Sequence, residues 1–170
     1  VSVAVSVTTL ENELKRRLEP RTASPAARLK VIDKLATSGI DVTMMFAPVI
    51  PCINDHELEN AVAAGAEAGA KAAHYILLRL PLEISALFRD WLGQHYPDRA
   101  AKVMSIVQQS RRGKDYRAEF FQRFIGEGAF AELIHQRFSL ARKKHNLEQR
   151  EQVELDCTRF SRPGAQLGLF

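Results

Sequence analysis

The sequence predicts an α/β protein with about three parallel strands and their helices, followed by a helical C-terminal region. Runs rich in apolar and β-branched residues at 2–8, 40–50 and 72–80 are typical of strands, and helical spacing fills the intervals between them. The runs recur about every 30 residues, the length of a βαβ unit with parallel strands. Because three strands cannot close a barrel, they form either an open sheet or the later part of a barrel.

The first predicted unit combines the alternating run SVAVSVT (2–8) with helical spacing in LENELKRRL (10–18). The run begins at the first residue, so we expect this strand to be entered from upstream sequence. A second helix is predicted to start with Ser24 as N-cap and Pro25 at the first helical position, and Gly39 suits its C-terminal cap.

The second strand is predicted in IDVTMMFAPVI (40–50) and the third in AAHYILLRL (72–80). Between them, Asn54 and Glu57 have the spacing of a capping box. The helix that follows, to about residue 68, is rich in alanine and glycine, so it is expected to pack closely on the sheet.

From residue 82 onward the pattern is helical, with amphipathic segments at 82–96, 98–111 and 129–145. The tail after them contains proline and glycine and is predicted to be extended. The chain is therefore expected to divide into a half-barrel part, a helical part and a tail, at 1–81, 82–150 and 151–170.

The cysteine content and the short apolar runs restrict which metal sites and which cellular locations can be expected. The two cysteines, Cys52 and Cys157, have no CxxC or CxxxCxxC spacing, so this chain alone offers no cysteine cluster for zinc or iron–sulfur. Free thiols of a cytoplasmic protein are expected instead. No apolar run approaches the roughly 20 residues that a membrane span needs, so no membrane association is predicted.

Positive charge is concentrated in the second half of the chain. Residues 99–150 contain 12 Lys or Arg and 5 Asp or Glu, whereas the whole chain has a net charge of +4. Such a basic region suits DNA or another anionic partner. The alternative is a set of solvated helix faces, and no aromatic nucleic-acid signature decides between the two.

Five segments, VSVTTLENELKRRLEPRTASPAARLKVIDKLATSGIDV, APVIPCINDHEL, YILLRLPLE, HYPDRAAKVMS and GEGAFAELIHQRF, occur in this order over nearly the whole chain. Together they resemble the central and C-terminal region of radical S-adenosylmethionine (SAM) proteins of the spore-photoproduct-lyase and DNA-repair-photolyase-like group. The resemblance implies a partial (β/α)6 barrel, a [4Fe–4S] cluster held by CxxxCxxC, and SAM bound across the carboxyl ends of the strands. It also implies a bacterial lyase-like enzyme connected with DNA repair.

The departure from that family is the absence of the CxxxCxxC motif and of the earlier strands. The chain is therefore expected to be the C-terminal portion of a radical SAM enzyme, inactive alone and unable to bind the cluster by itself. An unrelated barrel aldolase is disfavoured, because no obvious Schiff-base lysine lies at a strand end.

Functional groups in barrels lie where strands end, which makes Ser6, Thr8 and Pro48 candidate SAM-binding residues. The two hydroxyl groups suit the ribose, and the apolar strand end at Pro48 suits the adenine face. The alternative for the hydroxyls is ordinary strand-end polarity and helix capping. Tyr75 and Arg79 are predicted to face the barrel interior or its mouth, and packing is the more common role of such a tyrosine.

Glu19, Arg21 and Arg28 form a second candidate group for SAM. An arginine binds a carboxylate through two parallel hydrogen bonds, and a glutamate accepts hydrogen bonds from an ammonium or hydroxyl group. The loop that carries them is expected near the end of the first strand. The alternative is a surface network of salt bridges.

The last five residues, QLGLF (166–170), resemble the QLxLF peptide by which bacterial repair and replication proteins bind the sliding clamp. An exposed tail can fold on binding and fill an apolar cleft, and the residues that would bind are Gln166, Leu167, Leu169 and Phe170. An alternative function is therefore a non-catalytic module that binds DNA through basic helices and the clamp through this tail. An open barrel edge also predicts self-association.

Overall fold

The computed structural model describes residues 3–119 and 122–147, which form a mixed α/β structure. In chain order its elements are β1 (Val3–Ser6), α1 (Asn12–Leu18), α2 (Pro25–Thr37), β2 (Val42–Val49), a 3-10 helix (Asp55–Glu57), α3 (Leu58–Glu67), β3 (Ala72–Leu77), α4 (Ile84–His95), α5 (Pro97–Gln109), α6 (Gln122–Ile125) and α7 (Ala129–Lys144). The predicted α/β class is confirmed by these elements.

The three strands form a parallel sheet in the order β1-β2-β3. Val3 is opposite Val42, and Met44 is opposite Ala73. The pairing of β2 with β3 shifts register just after Phe46. The parallel arrangement that the βα spacing predicts is therefore confirmed.

One face of this sheet is covered by helices and the other is not. The covered face contributes Val7, Val42, Met44, Phe46, Ala73, Tyr75 and Leu77 to a core shared with α2, α3 and α7. On the opposite face Ala4 and Ser6 are exposed, and Met45, His74 and Ile76 are partly exposed. Parallel sheets are ordinarily covered on both faces, so this uncovered face is an unusual feature of the described chain.

Helix α2 begins, and α3 packs, as their sequences predict. The Ser24 hydroxyl oxygen accepts a hydrogen bond from the Ala27 amide at 3.2 Å, and Pro25 is the first residue of α2. Helix α3 lies so close to β2 that a Cβ on Gly65 would come within 2.8 Å of Met44 Cγ. The predicted close packing of the small-residue helix is confirmed.

A second core joins α4 and α5 to α1 and to the residues that follow β2 and β3. Leu78 and Leu80 belong to it, which explains why β3 ends at Leu77 rather than at residue 80 as predicted. The Trp91 indole donates to the Arg17 carbonyl oxygen at 2.9 Å and so connects α4 to the end of α1.

Helix α7 returns to the sheet and packs against β3 and α3. Its Arg137 donates two hydrogen bonds of 2.7 Å to the Glu59 carboxylate and one of 2.8 Å to the Asp55 carbonyl oxygen. The hydrogen bond from Arg137 lowers the pKa of Glu59. At least one arginine of the predicted basic helix is therefore engaged inside the protein.

The predicted tail at 151–170, with Gln166, Leu167, Leu169 and Phe170, lies outside the described residues. None of the described helices has the length and apolar character needed to cross a membrane.

Candidate functional site

The carboxyl ends of the three parallel strands meet at one edge of the sheet, because parallel strands all end on the same side. Residues 7–10 follow β1, residues 50–54 follow β2 and residues 78–80 follow β3. Polar side chains from several segments contact one another at this edge, which we call the strand-end site. Its members are Ser6, Thr8, Thr9, Glu19, Arg28, Asn54 and Glu57.

Four of the predicted residues form one network at the end of β1. The Thr8 hydroxyl donates to Glu19 Oε1 at 3.0 Å, and both Thr22 and Arg28 donate to Glu19 Oε2. Arg28 Nη1 also donates to the Ser6 carbonyl oxygen at 2.9 Å and to the Ser6 hydroxyl oxygen at 3.1 Å. The structure therefore brings Ser6, Thr8, Glu19 and Arg28 together.

This network is closed on its inner side. The crevice bounded by Thr8, Glu19 and Arg28 leaves no space for a water molecule. Thr8 is only 3% exposed, whereas Ser6 is exposed on the uncovered face of the sheet. Glu19, which accepts from Thr8, therefore holds Arg28 in place, and Ser6 is the exposed member of the network.

Arg21 is not part of this network. Its side chain is exposed and makes no hydrogen bond or ion pair with any described residue. The structure therefore does not bring Arg21 together with Glu19 and Arg28, and a role of Arg21 in binding SAM stays a prediction.

Asn54 links the ends of β1 and β2. Its side chain is fully buried and accepts from the Ile50 amide at 2.6 Å. Its amide nitrogen Nδ2 donates to the carbonyl oxygens of Thr8 and Pro48 at 2.7 and 2.9 Å. The predicted capping box of Asn54 with Glu57 is wrong, since the Asn54 side chain caps no helix.

Glu57 also joins the two strand ends. It is 5% exposed, and its carboxylate accepts from the Thr9 hydroxyl and from the Leu10 amide, both at 2.6 Å. Thr9 Oγ1 in turn accepts from the Glu11 amide at 3.0 Å. The residues that position the strand-end site thus include a buried carboxylate that the sequence pattern assigned to helix capping.

Pro48, the predicted adenine contact, lines an apolar groove of about 250 Å³. Pro48 follows a cis peptide bond from Ala47, and it shares the groove with Ile76 of the uncovered face and with Arg79. We call this space the strand-end groove. Its other lining residues are Ala47, Leu77 and Leu78, so its walls are largely apolar.

Two arginines lie at the end of β3: Arg79, which was predicted to face the barrel interior or its mouth, and Arg111, which the sequence did not assign to the site. Arg79 Nη2 donates to the Tyr116 hydroxyl oxygen at 3.2 Å, and the guanidinium carbon is 4.9 Å from the centroid of the Phe124 ring. Arg111 is 2% exposed and donates to the carbonyl oxygen of Leu78 at 3.2 Å. Burial, and then the charge of Arg79, lower the pKa of Arg111.

Metal and cluster ligands are few among the described residues. Glu11, His56 and Glu57 form a group whose ligand atoms lie within 4.8 Å of one another, but two of the three are exposed and both Glu57 oxygens already accept hydrogen bonds. Cys52 is the one cysteine in residues 3–119 and 122–147. Since an iron–sulfur cluster is held by several thiolates, the described residues do not fit one.

Comparison with known proteins gives relatives but no family. No family model matches the chain, and no solved structure matches it. An uncharacterized protein of Mycobacterium bovis and two of Mycobacterium tuberculosis are each 32% identical to it over 111 residues, which is 64% of this chain and 33% of the relative. The chain therefore spans about a third of the length of the curated relatives that it matches.

Proposed function

We propose that this chain is the C-terminal part of a radical SAM enzyme of the spore-photoproduct-lyase and DNA-repair-photolyase-like group, and that its strand ends form part of a SAM site. The observation that carries the proposal is the parallel sheet with one uncovered face, at whose carboxyl edge polar side chains from separate segments converge.

The uncovered face favours the interpretation that the three strands are a segment of a barrel rather than an open sheet. In a (β/α) barrel each strand turns one face to the helices and the other to the interior, and β1, β2 and β3 show this division. The matched stretch is 33% of each curated relative. The remaining two thirds of each relative are long enough to contain further strands.

The side chains of the strand-end site suit different parts of SAM. Arg28 carries a guanidinium that matches a carboxylate, and Ser6 adds an exposed hydroxyl beside it. The strand-end groove along Pro48 suits an aromatic base, which needs flat apolar contact. Thr8 and Glu19 act as positioning residues, because Thr8 donates to Glu19 and Glu19 accepts from Arg28.

Reductive chemistry would depend on a [4Fe–4S] cluster, which supplies the electron that cleaves SAM in this family. The sequence contains no CxxxCxxC motif, and Cys52 is the one cysteine among the residues that the structure describes. We therefore assign this chain a role in binding and orienting SAM, and no role in holding the cluster.

The test is expression of the gene with its upstream region, anaerobic reconstitution, and measurement of cluster absorption and of 5′-deoxyadenosine formed from SAM. In the same preparation, Arg28→Gln should weaken SAM binding by about tenfold or more, because a charge-assisted pair is lost. Arg16→Gln, which removes the same charge from an exposed position on α1, is the matched control. An upstream region without a CxxxCxxC motif, or equal SAM affinity of both variants, would contradict the proposal.

A further inference from the structure

Glu57 is a buried carboxylate whose hydrogen bonds supply no counter-charge. It is 5% exposed, and its two oxygens accept from the Thr9 hydroxyl and the Leu10 amide, which are both neutral donors. No lysine or arginine in the described part of the chain forms an ion pair with it. A carboxylate away from water is costly unless a positive charge offsets it, so this position favours a bound cation.

Two further side chains with metal-binding atoms converge on Glu57. The ligand atoms of Glu11, His56 and Glu57 lie within 4.8 Å of one another. His56 Nε2 is 3.5 Å from Glu11 Oε1, close to the roughly 3.4 Å that separates two ligands on a tetrahedral zinc ion. The side chains of Glu11 and His56 are both more than half exposed, so they have room to move the remaining distance onto an ion.

The hydrogen bonds of Glu57 do not exclude a metal. Each carboxylate oxygen has two lone pairs, so an oxygen that accepts one hydrogen bond can also coordinate an ion. Carboxylates that bind metals are themselves hydrogen-bonded, and those bonds fix their orientation. Thr9, which is 1% exposed, holds Glu57 in this way, while the two exposed side chains leave the ion open to solvent.

We propose that Glu11, His56 and Glu57 bind Zn²⁺ or a similar divalent transition-metal ion at the strand-end site. The imidazole nitrogen favours zinc over magnesium and calcium, which prefer oxygen ligands. Three protein ligands leave a coordination position for water. The site uses no cysteine, and it shares no residue with the proposed contacts of SAM.

The experiment titrates the metal-free chain with ZnCl₂ and, separately, with MgCl₂ in a chelator-treated buffer, using calorimetry. Mg²⁺ should bind at least about tenfold more weakly than Zn²⁺. His56→Gln and Glu11→Gln should each lower zinc affinity by about tenfold or more, because each removes a ligand. His135→Gln removes an exposed histidine of α7; as the matched control it should stay within about twofold of the wild type.

A second measurement separates metal binding from a structural role. Without metal, His56→Gln should unfold at the same temperature as the wild type, because its side chain is exposed and its contact with Glu11 is a surface pair. With Zn²⁺, the wild type and His135→Gln should gain in unfolding temperature, whereas His56→Gln and Glu11→Gln should gain less.

Zinc affinity of both ligand variants within about twofold of the wild type would overturn the proposal, and so would equal affinity of the wild type for Zn²⁺ and Mg²⁺. Loss of zinc binding in Cys52→Ser with full binding in His56→Gln would place the ion at a thiol and would also overturn it. None of these measurements involves SAM, so they fail or succeed independently of the proposed function.

Discussion

Replacing Asn54 with alanine should lower the free energy of unfolding by more than the few atoms removed would suggest. The change removes three hydrogen bonds, from Ile50 and to Thr8 and Pro48, in a position with no solvent exposure. With a net contribution of about 1 kcal/mol per hydrogen bond, the loss is about 3 kcal/mol, and it rises towards roughly 5 kcal/mol if the Ile50 amide finds no new partner. For a chain of this length a loss of about 3 kcal/mol corresponds to a fall in Tm of roughly 6–12 °C, and a loss of about 5 kcal/mol to roughly 10–20 °C.

Urea denaturation followed by circular dichroism measures this difference, with Asn60→Ala as control. Asn60 is exposed on α3, so its replacement should change the free energy of unfolding by less than about 0.5 kcal/mol. Equal stability of Asn54→Ala and Asn60→Ala would show that the link between the two strand ends contributes nothing to folding, which would refute the reasoning.

Three further predictions concern the same fold. Gly65→Ala should cost about 1–3 kcal/mol in chemical denaturation, because the new Cβ would lie 2.8 Å from a methionine side-chain carbon on β2; unchanged stability would contradict the close packing. Thr9→Val should cost about 2 kcal/mol, because it leaves the buried Glu57 carboxylate without one of its two donors, and thermal unfolding measures the loss. Hydrogen bonding, chiefly from Ser85, lowers the pKa of Asp115 from 3.8 to about 2, so this carboxylate contributes stability above pH 3.8 that is lost as the pH falls towards 2. Between pH 2 and 3.8 the free energy of unfolding should therefore change less with pH for Asp115→Asn than for the wild type. Equal pH dependence of the two proteins would exclude the effect.

Local patterns in the sequence were enough to predict the strands and their direction. The runs around Val42 and Ala73 are apolar because both lie within a sheet, and the βα spacing allows only parallel neighbours for them. Ser24 and Gly39 were also predictable, because a capping hydroxyl and a positive φ of 76° depend on a few neighbouring residues.

The strand-end site was predictable only where its residues are close in sequence. Thr8, Glu19 and Arg28 all lie between β1 and β2, so two separately predicted groups could both be placed near the end of the first strand, although the bonds between them were not predicted. Asn54 was misassigned because an asparagine before a helix has the same pattern whether it caps that helix or bonds across strands. Arg111 gave no local signal at all, since its contacts with Leu77 and Leu78 are made over more than thirty positions.

The uncovered sheet face has a thermodynamic consequence. Any polypeptide that docks on this surface borders the same edge where Ser6 and Pro48 lie. If docking changes the affinity for a small molecule bound at that edge, the small molecule must change the affinity of docking by the same factor. Binding of the small molecule at the sheet edge and docking of a polypeptide on the uncovered face would then be thermodynamically coupled, so that measuring either one reports on the other.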